Sequence, residues 1–217
     1  QYGFGGVPED DAEAVRWYRL AAEQGHSGAQ FNLGRMYAAG SGVPQDDAEA
    51  VRWYRLAADQ GLASAQFNLG LMYAYGRGEG VLQDYAEALR WYRLAADQGL
   101  ADAQASLGSA YSIGLGVRRG DAEAARWYRL AADQGDANAQ GNLGRMYAAG
   151  RGVPQDDAEA MRWYRLAADQ GNVGAQLNLA FTYHYGFGSV PQDDTEAVRW
   201  YRLAAEQGHP GAQFNLG

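Results

Sequence analysis

The chain contains no cysteine and no lysine among its 217 residues. Without thiols there is no disulfide framework and no thiolate chemistry, which suits a reducing cytoplasm or a disulfide-free envelope protein. Without lysine, Schiff-base and phosphate-loop lysine chemistry are closed to it, and all 18 basic residues are arginine. No run approaches the roughly 18 consecutive apolar residues that would span a bilayer. No charged-then-apolar leader opens the chain either, an absence of little weight because the chain begins inside a repeat. Positive charge is the scarcer sign, 18 basic residues against 26 acidic, for a formal net charge of −8. Such a diffuse negative field disfavours nucleic acid and anionic lipid surfaces, which need a basic patch or stripe.

Catalytic signatures are missing as well. The three histidines, His26, His184 and His209, show no metal-site spacing. The seven serines have no nucleophile-elbow context. Gly114-Leu115-Gly116 follows a helical pattern and lacks a third glycine, so it reads as a helix break instead of a dinucleotide loop. The Asp-Asp pairs at 10–11, 46–47, 156–157 and 193–194 recur where helices begin and read as caps, not cation ligands. No cofactor, no metal and no enzymatic activity are expected.

What is present is a repeat. The string WYRLAA occurs six times, led by Trp17, Trp53, Trp91, Trp127, Trp163 and Trp200, at steps of 36, 38, 36, 36 and 37 residues. Ala-Gln pairs ending at Gln30, Gln66, Gln104, Gln140, Gln176 and Gln213 keep the same register. Within one period, Ala29, Leu33, Met36 and Tyr37 share one face of a helix predicted over about 27–39. Gly40 and Gly42 break it, and Pro44 cannot extend it. Asp46 and Glu49 have capping-box spacing for a second helix that buries Ala50, Trp53, Tyr54, Ala57 and Ala58 and stops at Gly61 in a left-handed cap. Two extra residues fall in the Gly76–Gln83 loop and one in the Gly186–Val190 loop. The arginines of the Arg-Trp-Tyr-Arg segments, such as Arg52 and Arg55, read as a solvated outer face within reach of Glu49 and Asp59.

The pattern A-x-x-x-L-G-x-x-Y…G-x-G-V…D…A…W-Y…A-A-x-Q-G resembles the Sel1-like repeat, a relative of the tetratricopeptide repeat, over essentially the whole chain. The resemblance implies an all-α, right-handed α-α superhelical solenoid of helix pairs. The predicted organisation is a single solenoid over 1–217: an orphan second helix in 1–24, repeats at 25–60, 61–98, 99–134, 135–170 and 171–207, and a truncated first helix in 208–217. Three local departures could loosen packing: Arg118-Arg119 for the Pro-Gln step, Ala180 for the first-helix glycine, and Ala110 for methionine. Residues 1–34 and 184–217 differ at only five of 34 positions, which predicts an excerpt from a longer array whose open end faces invite end-to-end stacking.

Comparison among the repeats separates framework from variable positions. The series Phe31, Phe67, Ala105, Gly141, Leu177 varies, as do Arg35, Leu71, Ser109, Arg145, Phe181 and Ala39, Tyr75, Ile113, Ala149, Tyr185. Their spacing places them on a second stripe of the first helix, facing roughly away from the core stripe. In the tetratricopeptide relatives the matching positions line a concave groove. The resemblance therefore makes Phe31, Asn32, Arg35, Phe67, Asn68, Leu71, Tyr75, Asn142, Arg145, Asn178, Phe181 and Tyr185 the partner-binding candidates. An asparagine recurring at one position either clamps a bound backbone or bonds a neighbouring helix terminus, and the sequence leaves both open.

The function expected is that of a protein–protein interaction scaffold or adaptor, taking a peptide or partner helix on the concave face. The alternatives are a self-assembling spacer stacking end to end and, against the missing cysteines, a small-molecule or cell-wall-ligand binder or enzyme. The family implies a bacterial setting, cytoplasm or cell envelope.

Overall fold

The computed structural model describes residues 10–78, 82–188 and 190–217. Among them the chain forms twelve α-helices and no strand. These are α1 (Asp11–Glu23), α2 (Ser27–Ala39), α3 (Asp47–Asp59), α4 (Ala63–Tyr75), α5 (Tyr85–Asp97), α6 (Ala101–Ile113), α7 (Asp121–Asp133), α8 (Ala137–Ala149), α9 (Asp157–Asp169), α10 (Val173–Tyr185), α11 (Asp194–Glu206) and α12 (Pro210–Leu216). Residues 79–81 and 189, inside the two lengthened loops, and residues 1–9 of the leading segment lie outside the described residues. The chain divides into two compact units, Gln1–Ala103 and Gln104–Gly217.

Local signals act as the sequence predicts at most helix ends. The Asp46 carboxylate accepts from Ala48 N and Glu49 N, both at 3.0 Å, and Asp10, Asp84, Asp156 and Asp193 cap their helices the same way. The reciprocal half of the capping box does not form. The Glu49 carboxylate instead takes the Trp53 indole N–H (3.0 Å) and Arg52 (3.1 Å), because both lie one turn onward on its own face. His26 and His209, in the loops entering first helices, turn out to be caps whose Nδ1 accepts from Ala29 N and Ala212 N. Gly61, at φ +88°, closes α3 with paired bonds, Gly61 N to Ala58 O and Leu62 N to Ala57 O.

In the N-terminal unit α2 packs along α3 and α4 along α5, with α1 on α2 and α3 on α4. Trp53 reaches back from α3 to Val15, Ala22, Ala29 and Leu33, and Trp91 from α5 to the cluster around Tyr54 and Leu69. The C-terminal unit repeats this, with Trp200 packed among Ala160, Tyr164, Ala175 and Leu179. Burying each such ring stabilises the stack by roughly 2–3 kcal/mol. Alanines elsewhere in the helix faces keep the backbones close, and Ala57, Ala95, Ala131, Ala167 and Ala204 are fully buried.

One polar group per pair is buried too. Gln30, Gln66, Gln140 and Gln176 each donate from Nε2 to the carbonyl of an alanine eight residues earlier, at 3.1–3.2 Å. Buried amides of this kind are tolerated because they are bonded.

Two of the departures from the repeat lie in the core. Ala110 and Ala180 are buried, the latter completely. Gly120 replaces the capping aspartate at the start of α7 and offers no side-chain cap. Asp121 there is held instead by Arg151 (2.8 and 3.2 Å) and by Arg119 (3.3 Å twice). The loop carrying Arg151 can settle on α7 because Gly152, at φ +70°, brings its Cα against the Asp121 carbonyl where any Cβ would collide.

Candidate functional site

The variable stripe of the first helices divides by depth. Phe31 and Phe67 are half-buried, their rings packed on Tyr54 (5.9 Å) and Tyr92 (5.5 Å). These two therefore lie in the seam between helices and not on a face opposite the core. Tyr75 and Tyr185, a turn or two further along, are 69% and 62% exposed, and Phe181 is exposed as well. Phe181 stacks on Tyr185 with ring centroids 6.0 Å apart and meets Tyr201 edge-on at 5.9 Å.

The recurring asparagines are half-buried. Asn68 donates to Ser64 O of its own helix (2.9 Å), and Asn142 accepts from Arg145 (2.7 Å). Both bonds run along the first helix, and neither joins a neighbouring helix terminus. Arg35 and Arg145 are exposed.

In the N-terminal unit part of this stripe walls a cleft of about 390 Å³. Asn68, Leu71, Met72 and Tyr75 of α4 form one side, Ala38 of α2 the other, and Arg77 stands in the loop beyond. The remaining lining residue is Tyr54, which comes from α3. Its ring passes beneath α2 at Gly34, where a Cβ would lie 2.7 Å from the ring edge. The same crossing recurs in the other pairs, Tyr92 under Gly70 and Tyr164 under Gly144. Tyr128 under Gly108 donates its hydroxyl to Ser109 Oγ (3.1 Å), itself a stripe residue. Burial pushes the Tyr54 and Tyr164 hydroxyls up to about 12, with nearby Arg35 and Arg145 respectively pulling the other way. Burial raises Tyr92, Tyr128 and Tyr201 also.

Sequence reasoning assigned Tyr54 to the core alone and passed over Arg77. The signal for the first was available: a first-helix glycine and a second-helix Trp-Tyr recur together in nearly every repeat, and only a missing Cβ lets the ring through. Nothing in the spacing distinguishes Arg77 from other loop arginines.

The arginines of the second helices form the exposed outer face that the sequence predicts, with Arg52 paired to Glu49, and they engage aromatic rings there as well. Arg52, Arg90, Arg162 and Arg199 each pair with a glutamate one turn earlier and lie over the adjoining tryptophan at 4.3–5.1 Å. Arg19, Arg55, Arg129 and Arg165 reach the hydroxyls of Tyr37, Tyr73, Tyr147 and Tyr183 on the following first helix. The reason is geometric: a planar guanidinium can stack on indole and still donate at its edge.

Helix pairs of this make, with Trp53, Trp91 and Trp200 buried against the pair before, define a helical-repeat solenoid. The Sel1 repeat model matches residues 1–26, 27–62, 63–100, 101–136, 137–172 and 173–209, and the chain belongs to the Sel1 repeat family. Those matches divide the chain two residues later than the predicted repeat boundaries. The chain is 42% identical to a Sel1 repeat protein from Oxalobacter formigenes, with a TM-score of 0.84 over 93% of this chain and 82% of that one. It is 41% identical to c5321, a protective antigen of uropathogenic Escherichia coli displaying the same fold, with a TM-score of 0.72 over 98% of this chain. It spans only about half, 53%, of that antigen. A Sel1 repeat protein from Klebsiella pneumoniae shares the fold at 21% identity and a TM-score of 0.56. No curated protein matches the chain. No described helix is long and apolar enough to cross a membrane.

Proposed function

We propose that this chain is an interaction scaffold that holds a peptide or helix of a partner protein on its first helices, at Phe31, Asn32, Arg35, Phe67, Asn68, Leu71 and Tyr75 in the N-terminal unit and at Asn142, Arg145, Asn178, Phe181 and Tyr185 in the C-terminal unit. Sel1 repeat proteins are generally protein-interaction scaffolds without enzymatic activity. The observation that carries the finer reading is the cleft between α2 and α4, whose walls offer Leu71 and the exposed ring of Tyr75 beside the polar Asn68. Large apolar groups beside a few placed polar ones are what an anchor site requires. We take the helix pairs at 25–60, 61–98, 99–134, 135–170 and 171–207 as the units presenting the stripe, in a bacterial cytoplasm or envelope.

The test is panning of a random phage-displayed peptide library on the chain. Enriched peptides should bind the wild type and fail on a Leu71→Ser/Tyr75→Ser variant whose far-ultraviolet circular dichroism is unchanged. Phe67 is left intact because its ring supports Tyr92. Equal binding by the variant overturns the assignment.

A further inference from the structure

Charge among α1 to α5 is sorted by helix type. The net charge is −8, yet residues 27–45 and 62–78, which hold α2, α4 and the loops after them, contain no aspartate or glutamate. They carry Arg35 and Arg77, and the next acids along the chain are Asp46 and Glu79, the latter outside the described residues. Acids gather at the second helices, where they already have work: Asp46 on backbone N–H groups, Glu49 on Arg52 and Trp53, Glu87 on Arg90 and Trp91.

The arginines follow the same division. Arg52 and Arg90 hold carboxylates and Arg55 holds the Tyr73 hydroxyl. Arg35 and Arg77 are exposed and have no carboxylate partner among the described residues. Arg35 lies over the Phe31 ring at 6.0 Å, and Arg77 stands at the cleft. The C-terminal unit supplies the contrast. Arg151, the counterpart of Arg77, is bound by both oxygens of Asp121. Asp47, the counterpart of Asp121, makes no such bond to Arg77, and its Oδ1 is buried without a hydrogen-bond partner. Of two equivalent arginines, one closes the fold and the other is left at the cleft.

On the reading that this cleft seats a partner, we propose that the partner segment is an acidic peptide with an apolar anchor. An aromatic or branched aliphatic side chain enters between Tyr54, Leu71 and Tyr75, and flanking carboxylates meet Arg35 and Arg77. A guanidinium takes a carboxylate through two parallel N–H donors, which fixes direction as well as charge. The acidic second helices repel such a segment and the acid-free α2 and α4 do not, so the field steers it to this wall.

The experiment uses the whole chain and three fluorescein-labelled dodecapeptides sharing a central Leu-Phe, flanked by glutamates, glutamines or lysines. Anisotropy titrations at low salt should rank them glutamate, glutamine, lysine. Two exposed charge pairs, each worth about threefold, put the glutamate peptide about tenfold ahead of the glutamine peptide. The advantage should vanish near 1 M salt, where screening acts over only about 3 Å. Arg35→Gln/Arg77→Gln should erase the advantage and leave the glutamine peptide's affinity unchanged. Glutamate and glutamine peptides binding equally, both losing affinity in Leu71→Ser/Tyr75→Ser, would leave the cleft as a seat and overturn its acidic preference. A glutamate peptide that binds this last variant as tightly as the wild type overturns the cleft assignment itself. Preference for the lysine peptide, or no binding of any peptide up to about 1 mM, also overturns the proposal.

Discussion

Gln170 donates from Nε2 to Oε1 of Gln140 across 2.8 Å, thirty residues back in the chain and in the first helix of its own pair. Gln140 in turn donates to Ala132 O (3.1 Å), so one buried amide ties three helices. Gln60 on Gln30, Gln98 on Gln66 and Gln207 on Gln176 make the same link at 2.7–2.9 Å. The repeat is stitched by a polar contact as well as by its tryptophans.

Replacing Gln140 by leucine should therefore destabilise the chain although it adds apolar surface. Ala132 O is left with backbone donors alone and Gln170 with Leu166 O alone, each lost bond costing about 0.5–1.5 kcal/mol. Thermal denaturation should show a midpoint lower by several degrees. Gln140→Glu should be worse, because a carboxylate cannot donate to Ala132 O and pays for burial besides. A leucine variant as stable as the wild type would reduce the ladder to a packing detail.

The Asp121 clamp predicts a local response to acid. Hydrogen bonds from Arg151, then Arg119, hold the Asp121 carboxyl at about 2, below its ordinary 3.8. A lowered value in the folded state means the contact is complete above the ordinary value and is lost as pH falls from about 4 to about 2. Titration of the Asp121 carboxyl by NMR should place its midpoint near 2 in the wild type. The midpoint should return most of the way to the ordinary value in Arg151→Gln, since Arg119 remains. An unmoved midpoint would assign the shift elsewhere.

Legibility differed between the fold and the site. Helix ends were readable because Asp46, Gly61 and Pro44 act within a few residues of themselves, and the tryptophan period made the stacking plain. Residues whose role depends on what crosses them were not. Tyr54 looks like any core tyrosine until Gly34 is seen above it, and Glu49 looks like half of a capping box until Trp53 and Arg52 claim its carboxylate. Phe31 and Phe67 occupy stripe positions by spacing, yet tyrosines rising from the second helices draw them into the seam.

Those tyrosines predict a response to alkali. The Tyr54 and Tyr164 hydroxyls are raised from 10.0 to about 12, burial being the main cause. Raised values mean the folded state favours the neutral phenol. Its advantage is whole below pH 10 and declines as pH climbs from 10 to about 12. Absorbance near 295 nm should show a late phenolate step accompanied by loss of helical circular dichroism. Tyr54→Phe and Tyr164→Phe keep the ring beneath its glycine and should each remove one phenolate from that step. Ionisation of all tyrosines in one step near 10, with helicity intact, would contradict this burial.

The absence of lysine acquires a physical reason at the second helices. Arg129 lies over the rings of Tyr147 (5.4 Å) and Trp163 (5.2 Å) while bonding the Tyr147 hydroxyl, and Arg165 does the same with Tyr183 and Trp200. A lysine ammonium could meet one of these demands but not both, because it has no plane to stack and no fork to donate from. Arg129→Lys and Arg165→Lys should each cost about 0.5–1 kcal/mol in chemical denaturation, although charge is conserved. The two sites meet at α9, which carries both Trp163 and Arg165, so the loss in the double variant should depart from the sum of the singles. Arg118→Lys, on an exposed loop residue, is the control and should change nothing measurable. Equal stability of all three variants would return the arginine preference to something other than the fold.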